Sequence, residues 1–263
     1  MIYFNSDYLE GAHQSIMDLM QKTNLEQTPG YGEDVYCDKA RELIKKACNA
    51  PDAYVQFLVG GTQTNMTVIS SILRPHQGVI SVHTGHINVH ETGSIESYGH
   101  KVLAIPSDNG KLSAAQVRDA VIAHRIDPSF EHMVQPGMVY ISHPTEVGTS
   151  YTKKELTELS EACKELGIYL FMDGARLAYG LAASDNDLSL EDIADLCDVF
   201  YIGGTKCGAL MGEAVVITNK ELMKDFRYIM KQKGGKLRET ALCVMQFFPP
   251  FSNGGSKPKR YSG

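Results

Sequence analysis

The stretch Tyr201-Ile-Gly-Gly-Thr-Lys-Cys-Gly-Ala209 sets one lysine, Lys206, in a glycine-flanked turn directly after an apolar run at 199–202. A lysine in such a place either grips a phosphate as a point charge or forms an imine with a carbonyl compound, for which desolvation and a lowered pKa suit it. Spacing decides between the two. A second apolar run, Ile168-Tyr-Leu-Phe-Met172, ends on Asp173-Gly-Ala-Arg176, so an acid and a lysine arrive from neighbouring strand ends of one sheet. Pyridoxal phosphate needs that pair: a lysine for its aldehyde, and a carboxylate that keeps its ring nitrogen protonated so that the ring can withdraw electrons.

Two further stretches carry polar chemistry. The run at 54–59 leads into Gly60-Gly-Thr-Gln-Thr-Asn65 and then an apolar helix at 66–73. Two glycines let backbone approach an anion, and the first free amides of the helix point at it with a favourable dipole. The stretch is neither a Walker loop nor a full GxGxxG, and a plain glycine turn with a threonine cap is its structural alternative. Three histidines crowd His83-Thr-Gly-His86-Ile-Asn-Val-His90-Glu91, and His86 and His90 stand four apart, as helical zinc ligands do. No third ligand follows at a recognisable spacing, and Glu91 lies after the pair rather than inside it, so a metal is not expected. Stacking of an imidazole on an aromatic cofactor is the other use. For Asp173 the alternative is a helix N-cap, for Arg176 an ion pair with that acid, and for Lys206 a surface turn.

These residues need a frame, and the apolar runs supply it. Strands are predicted at 54–59, 79–82, 101–105, 138–142, 168–172, 199–202 and 214–218. Helices are predicted at 10–22, with Ile16, Met17, Leu19 and Met20 on one period, and just beyond the Pro29-Gly-Tyr-Gly-Glu-Asp34 turn, with Ala40, Leu43, Ile44 and Ala47 as the buried stripe. A last long helix is predicted at 220–233. Ser113-Ala-Ala-Gln116, Thr152-Lys-Lys-Glu155 and Ser189-Leu-Glu-Asp192 resemble capping boxes. Alternating helices and near-continuously apolar strands predict an α/β fold of three layers, α/β/α, around a mostly parallel seven-stranded sheet. Ligands sit at the carboxyl ends of such strands, where every polar stretch above falls.

The whole chain, 263 residues with 43% hydrophobic and 21% charged side chains, can bury a substantial core. A net charge of -6 and a pI near 5.8 argue against nucleic acid or an anionic membrane as the main partner. Six scattered cysteines without a CxxC pair read as reduced thiols of a cytoplasmic protein. The first residues show no basic region ahead of an apolar one, so no signal peptide is expected, and no run is long enough to span a bilayer.

Asn5-Ser-Asp7, Tyr31-Gly-Glu-Asp34, Gly60-Gly-Thr-Gln-Thr-Asn65, His86-Ile-Asn-Val-His-Glu-Thr-Gly93, Asp173-Gly-Ala-Arg-Leu177 and Gly203-Gly-Thr-Lys-Cys-Gly208 together resemble the threonine aldolase and aromatic amino acid β-eliminating lyase family. The resemblance runs from the N-terminus to about residue 235. It implies the aspartate aminotransferase fold, that is, the large domain of fold type I pyridoxal-phosphate enzymes, and pyridoxal 5'-phosphate as cofactor. It implies that Lys206 carries the cofactor, Asp173 holds its ring nitrogen, Gly61 and Thr62 cradle its phosphate and His86 stacks on its ring. Ser6 and Arg176 would place a cofactor oxygen and the substrate carboxylate, and His132 would lie near the substrate hydroxyl. The implied reaction is cleavage of threonine or allo-threonine to glycine and acetaldehyde. Elimination from an aromatic amino acid and an inactive partner subunit are the alternatives.

Family members continue into a small C-terminal domain that this chain does not match. The expected organisation is therefore an arm and helices over 1–48, a cofactor-binding large domain over 49–235 and a poorly ordered tail over 236–263. The family also leads us to expect a homodimer or homotetramer.

Overall fold

Seven apolar runs pair into one sheet in the structure, a computed structural model that describes residues 3, 5–238 and 240. The strands are β1 (Tyr54–Leu58), β2 (Gln77–Val82), β3 (Val102–Ile105), β4 (Gln135–Ser142), β5 (Tyr169–Asp173), β6 (Val199–Gly203) and β7 (Glu213–Ile217). Their order across the sheet is β1-β7-β6-β5-β4-β2-β3. Pairings from β6 through β5, β4 and β2 to β3 are parallel, and β7 runs against both its neighbours. The reason is local: only residues 204–212 join β6 to β7. A parallel crossover needs a dozen residues or more. The start of β7 therefore lies at the same edge as the carboxyl ends of all the other strands.

Helices cover both faces, giving the three layers expected. Ile44 of α2 (Val35–Ala47), Val117 of α5 (Ala114–Ile126), Leu159 of α6 (Lys153–Leu166) and Ile193 of α8 (Leu190–Leu196) pack with Val55, Val139, Met172 and Phe200 on one face. On the other, Val68 of α3 (Gly61–Ile72), Ile87 of α4 (His86–Val89) and Phe226 of α9 (Phe226–Gln232) pack with Met138, Tyr140, Phe171 and Tyr201. Each such buried side chain contributes about 1.5–3 kcal/mol relative to exposure. All three capping boxes form, at Ser113, Thr152 and Ser189.

Three expectations are corrected. The stripe of α2 is Cys37, Ala40 and Ile44, while Ala47 is exposed and Leu43 only half-buried. The first helix, α1 (Gln14–Thr23), begins four residues later than expected; its apolar period holds, with Ile16 the buried one of the four. The segment 220–233 is a 3-10 turn, Lys220–Met223, followed by α9. Asp225, in the left-handed region at φ 60°, breaks it, a conformation that aspartate tolerates better than most residues. Most of the expected tail, 241–263, lies outside the described residues. Among the described residues no helix is long and apolar enough to cross a membrane.

His143, just past β4, is fully buried, accepts a hydrogen bond from the Tyr151 N–H at 3.3 Å on Nδ1, and has no partner for Nε2 among the described residues. Burial pushes its pKa down to about 4. The folded form thus refuses a proton that the unfolded chain takes up near pH 6.5, and the stabilisation present above that pH is lost as pH falls towards 4. The loss amounts to about 3 kcal/mol. Urea titrations at pH 7 and pH 4.5 should show this slope, and His143→Gln, which does not titrate, should flatten it.

Candidate active site

Two glycines bring the ends of β5 and β6 into contact. A Cβ on Gly174 would sit 1.9 Å from the Tyr201 carbonyl oxygen, and one on Gly203 would sit 2.6 Å from Ala175 backbone. The Gly203 N–H donates to the Gly174 carbonyl at 2.9 Å, locking the two exits together. That junction delivers Asp173 and the loop bearing Lys206 to one cleft of about 270 Å³. Its walls also include Gly60, Gly61 and Thr62 from the start of α3, His86, Glu146, Arg176 and Glu213.

Asp173 is buried and held from three sides. Its Oδ2 accepts from the Tyr140 hydroxyl at 2.5 Å and from Asn65 Nδ2 at 3.1 Å, and its Oδ1 accepts from the Ala175 N–H at 3.0 Å. The last bond closes the turn after β5, while the N-cap of the following helix, Leu177–Ala182, is Arg176 and not Asp173, so Asp173 is a turn residue that faces the cleft. Lys206 is half-buried; its Nζ stands 5.9 Å from the centroid of the Tyr8 ring and it forms no ion pair among the described residues. Arg176 pairs with Asp7 of the N-terminal arm rather than with Asp173. Burial opposes the charge on Asp7, but the hydrogen bond and charge of Arg176, and then Lys206, hold its pKa below the usual range. The arm is thus tied to the cleft, and Ser6 beside it has a buried hydroxyl with no partner among the described residues.

The start of α3 is open. Gly60 supplies no side-chain cap, and a Cβ there would meet nothing within 4 Å. The first amides of this twelve-residue helix are therefore free to bind an anion. Across the cleft, His86 opens α4, donating its backbone N–H to Glu146 Oε1 at 2.9 Å and bonding through Nδ1 to Glu91 Oε1 at 2.7 Å. The Glu91 hydrogen bond raises the pKa of His86, against the opposing effect of burial. Glu213, at the start of β7, is buried; burial first, and then the charge of Asp173, pushes its pKa well above the usual carboxylate range.

A lysine, a fixed carboxylate, an imidazole and an uncapped helix end around one cleft fit pyridoxal phosphate. Of the residues expected from sequence, Lys206, Asp173, His86, Gly61, Thr62 and Arg176 line it, with Ser6 adjoining through Asp7. His132 is the correction. It is exposed on the 3-10 turn Phe130–His132 ahead of β4, at the opposite edge of the sheet, and the eight residues of β4 put about 25 Å between it and the cleft of its own chain. Sequence reasoning did not assign Tyr140, Glu146 or Glu213 to the site. A polar residue closing or opening an apolar strand was the available signal for Glu213; Tyr140 gave none, because it reads as a strand core residue.

The model of the family described as beta-eliminating lyase matches residues 4–248. The low specificity L-threonine aldolase of Pseudomonas sp. (strain NCIMB 10558) is 34% identical over 236 residues, covering 88% of this chain and 66% of that protein. The chain thus spans just under two thirds of that relative's length. The low specificity L-threonine aldolase of Escherichia coli K12 is 24% identical over 256 residues, 93% of this chain and 71% of that one. A solved structure of Leishmania major threonine aldolase superposes with a TM-score of 0.89 at 49% identity, over 92% of this chain and 70% of the other. Thermus thermophilus aspartate aminotransferase, at 16% identity over 91% of this chain and 62% of its own, shares the fold with a TM-score of 0.71.

Proposed function

We infer, from the membership of this chain in the beta-eliminating lyase family, that it is a pyridoxal-phosphate-dependent lyase cleaving threonine or allo-threonine to glycine and acetaldehyde. Members of that family and aminotransferases of this fold use pyridoxal phosphate, and similar proteins are threonine aldolases. The observation that carries the reading is the meeting of Asp173 and Lys206 at adjacent strand ends on one cleft.

The residues divide the work as follows. The free amides of α3 at Gly61 and Thr62 take the phosphate, and Asp173, held in place by Tyr140 and Asn65, pairs with the ring nitrogen. When bound, the cofactor supplies an electron sink for the bond being broken. Lys206 provides the amine that secures it, and His86 provides a flat wall. Arg176, with Ser6, holds the substrate carboxylate, which must compete with Asp7 for the guanidinium. The hydroxyl proton of the substrate has two seats on the cleft wall, the His86 ring and the Glu146 carboxylate.

This assignment places the cofactor-binding domain over 49–235, behind an arm and helices over 1–48. It also includes self-association to a homodimer or homotetramer and a cytoplasmic setting. The arm exposes Tyr3, Tyr8 and Leu9, and Leu25 beyond α1 is 92% exposed, apolar area that a second copy would cover. The five cysteines among the described residues are free thiols. Light scattering reads the first. The family description favours a second reading, elimination from an aromatic amino acid. Purified protein given pyridoxal phosphate and threonine should release acetaldehyde and glycine. Ammonia and pyruvate from an aromatic amino acid, with no acetaldehyde from threonine, would overturn the aldolase reading.

A further inference from the structure

The Glu91 side chain, close to the cleft, is wholly inaccessible to solvent. An unpaired charge in such a place is strongly disfavoured, so its partners matter. There are three among the described residues. Oε1 accepts from Asn65 Nδ2 at 2.7 Å and pairs with His86 Nδ1 at 2.7 Å, while Oε2 accepts from Ser94 Oγ at 2.7 Å. The Asn65 bond has a second end. The same amide nitrogen donates to Asp173 Oδ2, so one NH₂ group bridges two buried carboxylates.

That bridge fixes the orientation of the amide, because turning it would set its oxygen against two negative groups. It also leaves the Asn65 carbonyl oxygen buried without a partner among the described residues. An unsatisfied buried acceptor is a cost that a purely structural asparagine would avoid. The cost falls at the base of the open helix end, between the acid and the imidazole.

We propose that Glu91 is a positioning residue: it fixes the His86 ring through Nδ1 and, by way of Asn65, joins that ring to Asp173 in one buried hydrogen-bonded chain. The inference deepens the proposed function, since it concerns the wall and the acid of the same cleft. Glu91 touches neither substrate nor cofactor. Its effect passes through His86, whose Nδ1 it occupies, leaving Nε2 as the nitrogen free for the cleft.

The groups facing His86 are Glu91 and, more distantly, Asp173, Lys206 and Glu146, with the His90 ring 5.6 Å away at 52°. Glu91 is the charge in direct contact, so its neutralisation is the decisive change. With the full chain labelled on histidine nitrogen and free of cofactor, NMR titration should show His86 of the wild type holding its proton above the usual histidine range. In Glu91→Gln the midpoint should fall by about one to three units. In Glu91→Asp, which withdraws the charge by one methylene, it should lie between.

Circular dichroism and urea unfolding establish that each variant is folded. Should Glu91→Gln not fold, Glu91→Asp against wild type decides. A His86 midpoint unmoved in the folded variant overturns the proposal, as does a wild-type midpoint at or below that of an exposed histidine. Because the titration needs no cofactor and no turnover, it can fail while threonine cleavage stands, and succeed where cleavage fails.

Discussion

Lys206→Ala should leave the protein folded while lowering threonine cleavage by about 10⁴-fold, the upper end for removal of a group that acts directly in chemistry. The fold should survive because the side chain carries little of it. Lys206 is half-buried, forms no ion pair among the described residues, and has the Tyr8 ring at 5.9 Å. A contact of that kind at an exposed ring contributes about 0.5–1 kcal/mol. Its near neighbours point the other way: Asp7, Glu213 and His86 all feel its charge. Two measurements separate chemistry from stability. Urea unfolding should move by no more than about 1 kcal/mol, and borohydride should fix pyridoxal phosphate to the wild type at Lys206 but not to the variant. A variant that still cleaves threonine at the wild-type rate would remove this lysine from the mechanism.

Gly174→Ala should be the most damaging single methyl in the site region. The backbone angle at this position is open to any residue, so the penalty is steric alone. The added Cβ would meet the Tyr201 carbonyl oxygen at 1.9 Å, and that atom is backbone of a central strand, not a side chain that can swing away. The exits of β5 and β6 must part. Overpacking of this kind costs about 3 kcal/mol. Parting them also shifts Asp173, one residue away, relative to the loop bearing Lys206, and a displacement near 1 Å lowers turnover by about 10²-fold. Cofactor binding should weaken in parallel, which absorbance titration reads. A variant with wild-type stability and activity would show that the junction is not what brings acid and lysine together.

The two effects differ in kind. The lysine acts through its amine, so its loss is chemical and the sheet is indifferent to it. The glycine acts through what it lacks, and its loss is felt first in packing and only then in catalysis.

All seven strands and the three capping boxes were legible in the chain because they rest on contacts between near neighbours in sequence: an apolar run, or a side chain and an amide three residues on. The arrival of Asp173 and Lys206 at adjacent strand ends was legible for the same reason, since each closes a run whose pairing follows from alternation with helices. Partner choice was not. Arg176 was open to pairing with an acid three residues back and instead meets Asp7, 169 residues away. Asn65 bridges to Asp173 across 108 residues, and Tyr140, which reads as core, turns its hydroxyl to the same carboxylate. His132 moved in the opposite sense, to the far edge of the sheet, because a strand has two ends and only its direction says which one a flanking residue occupies. Hydrogen bonds and ion pairs fall off over a few ångströms of space, so their partners are chosen by packing, whereas periodicity and caps are set by bonds along the chain.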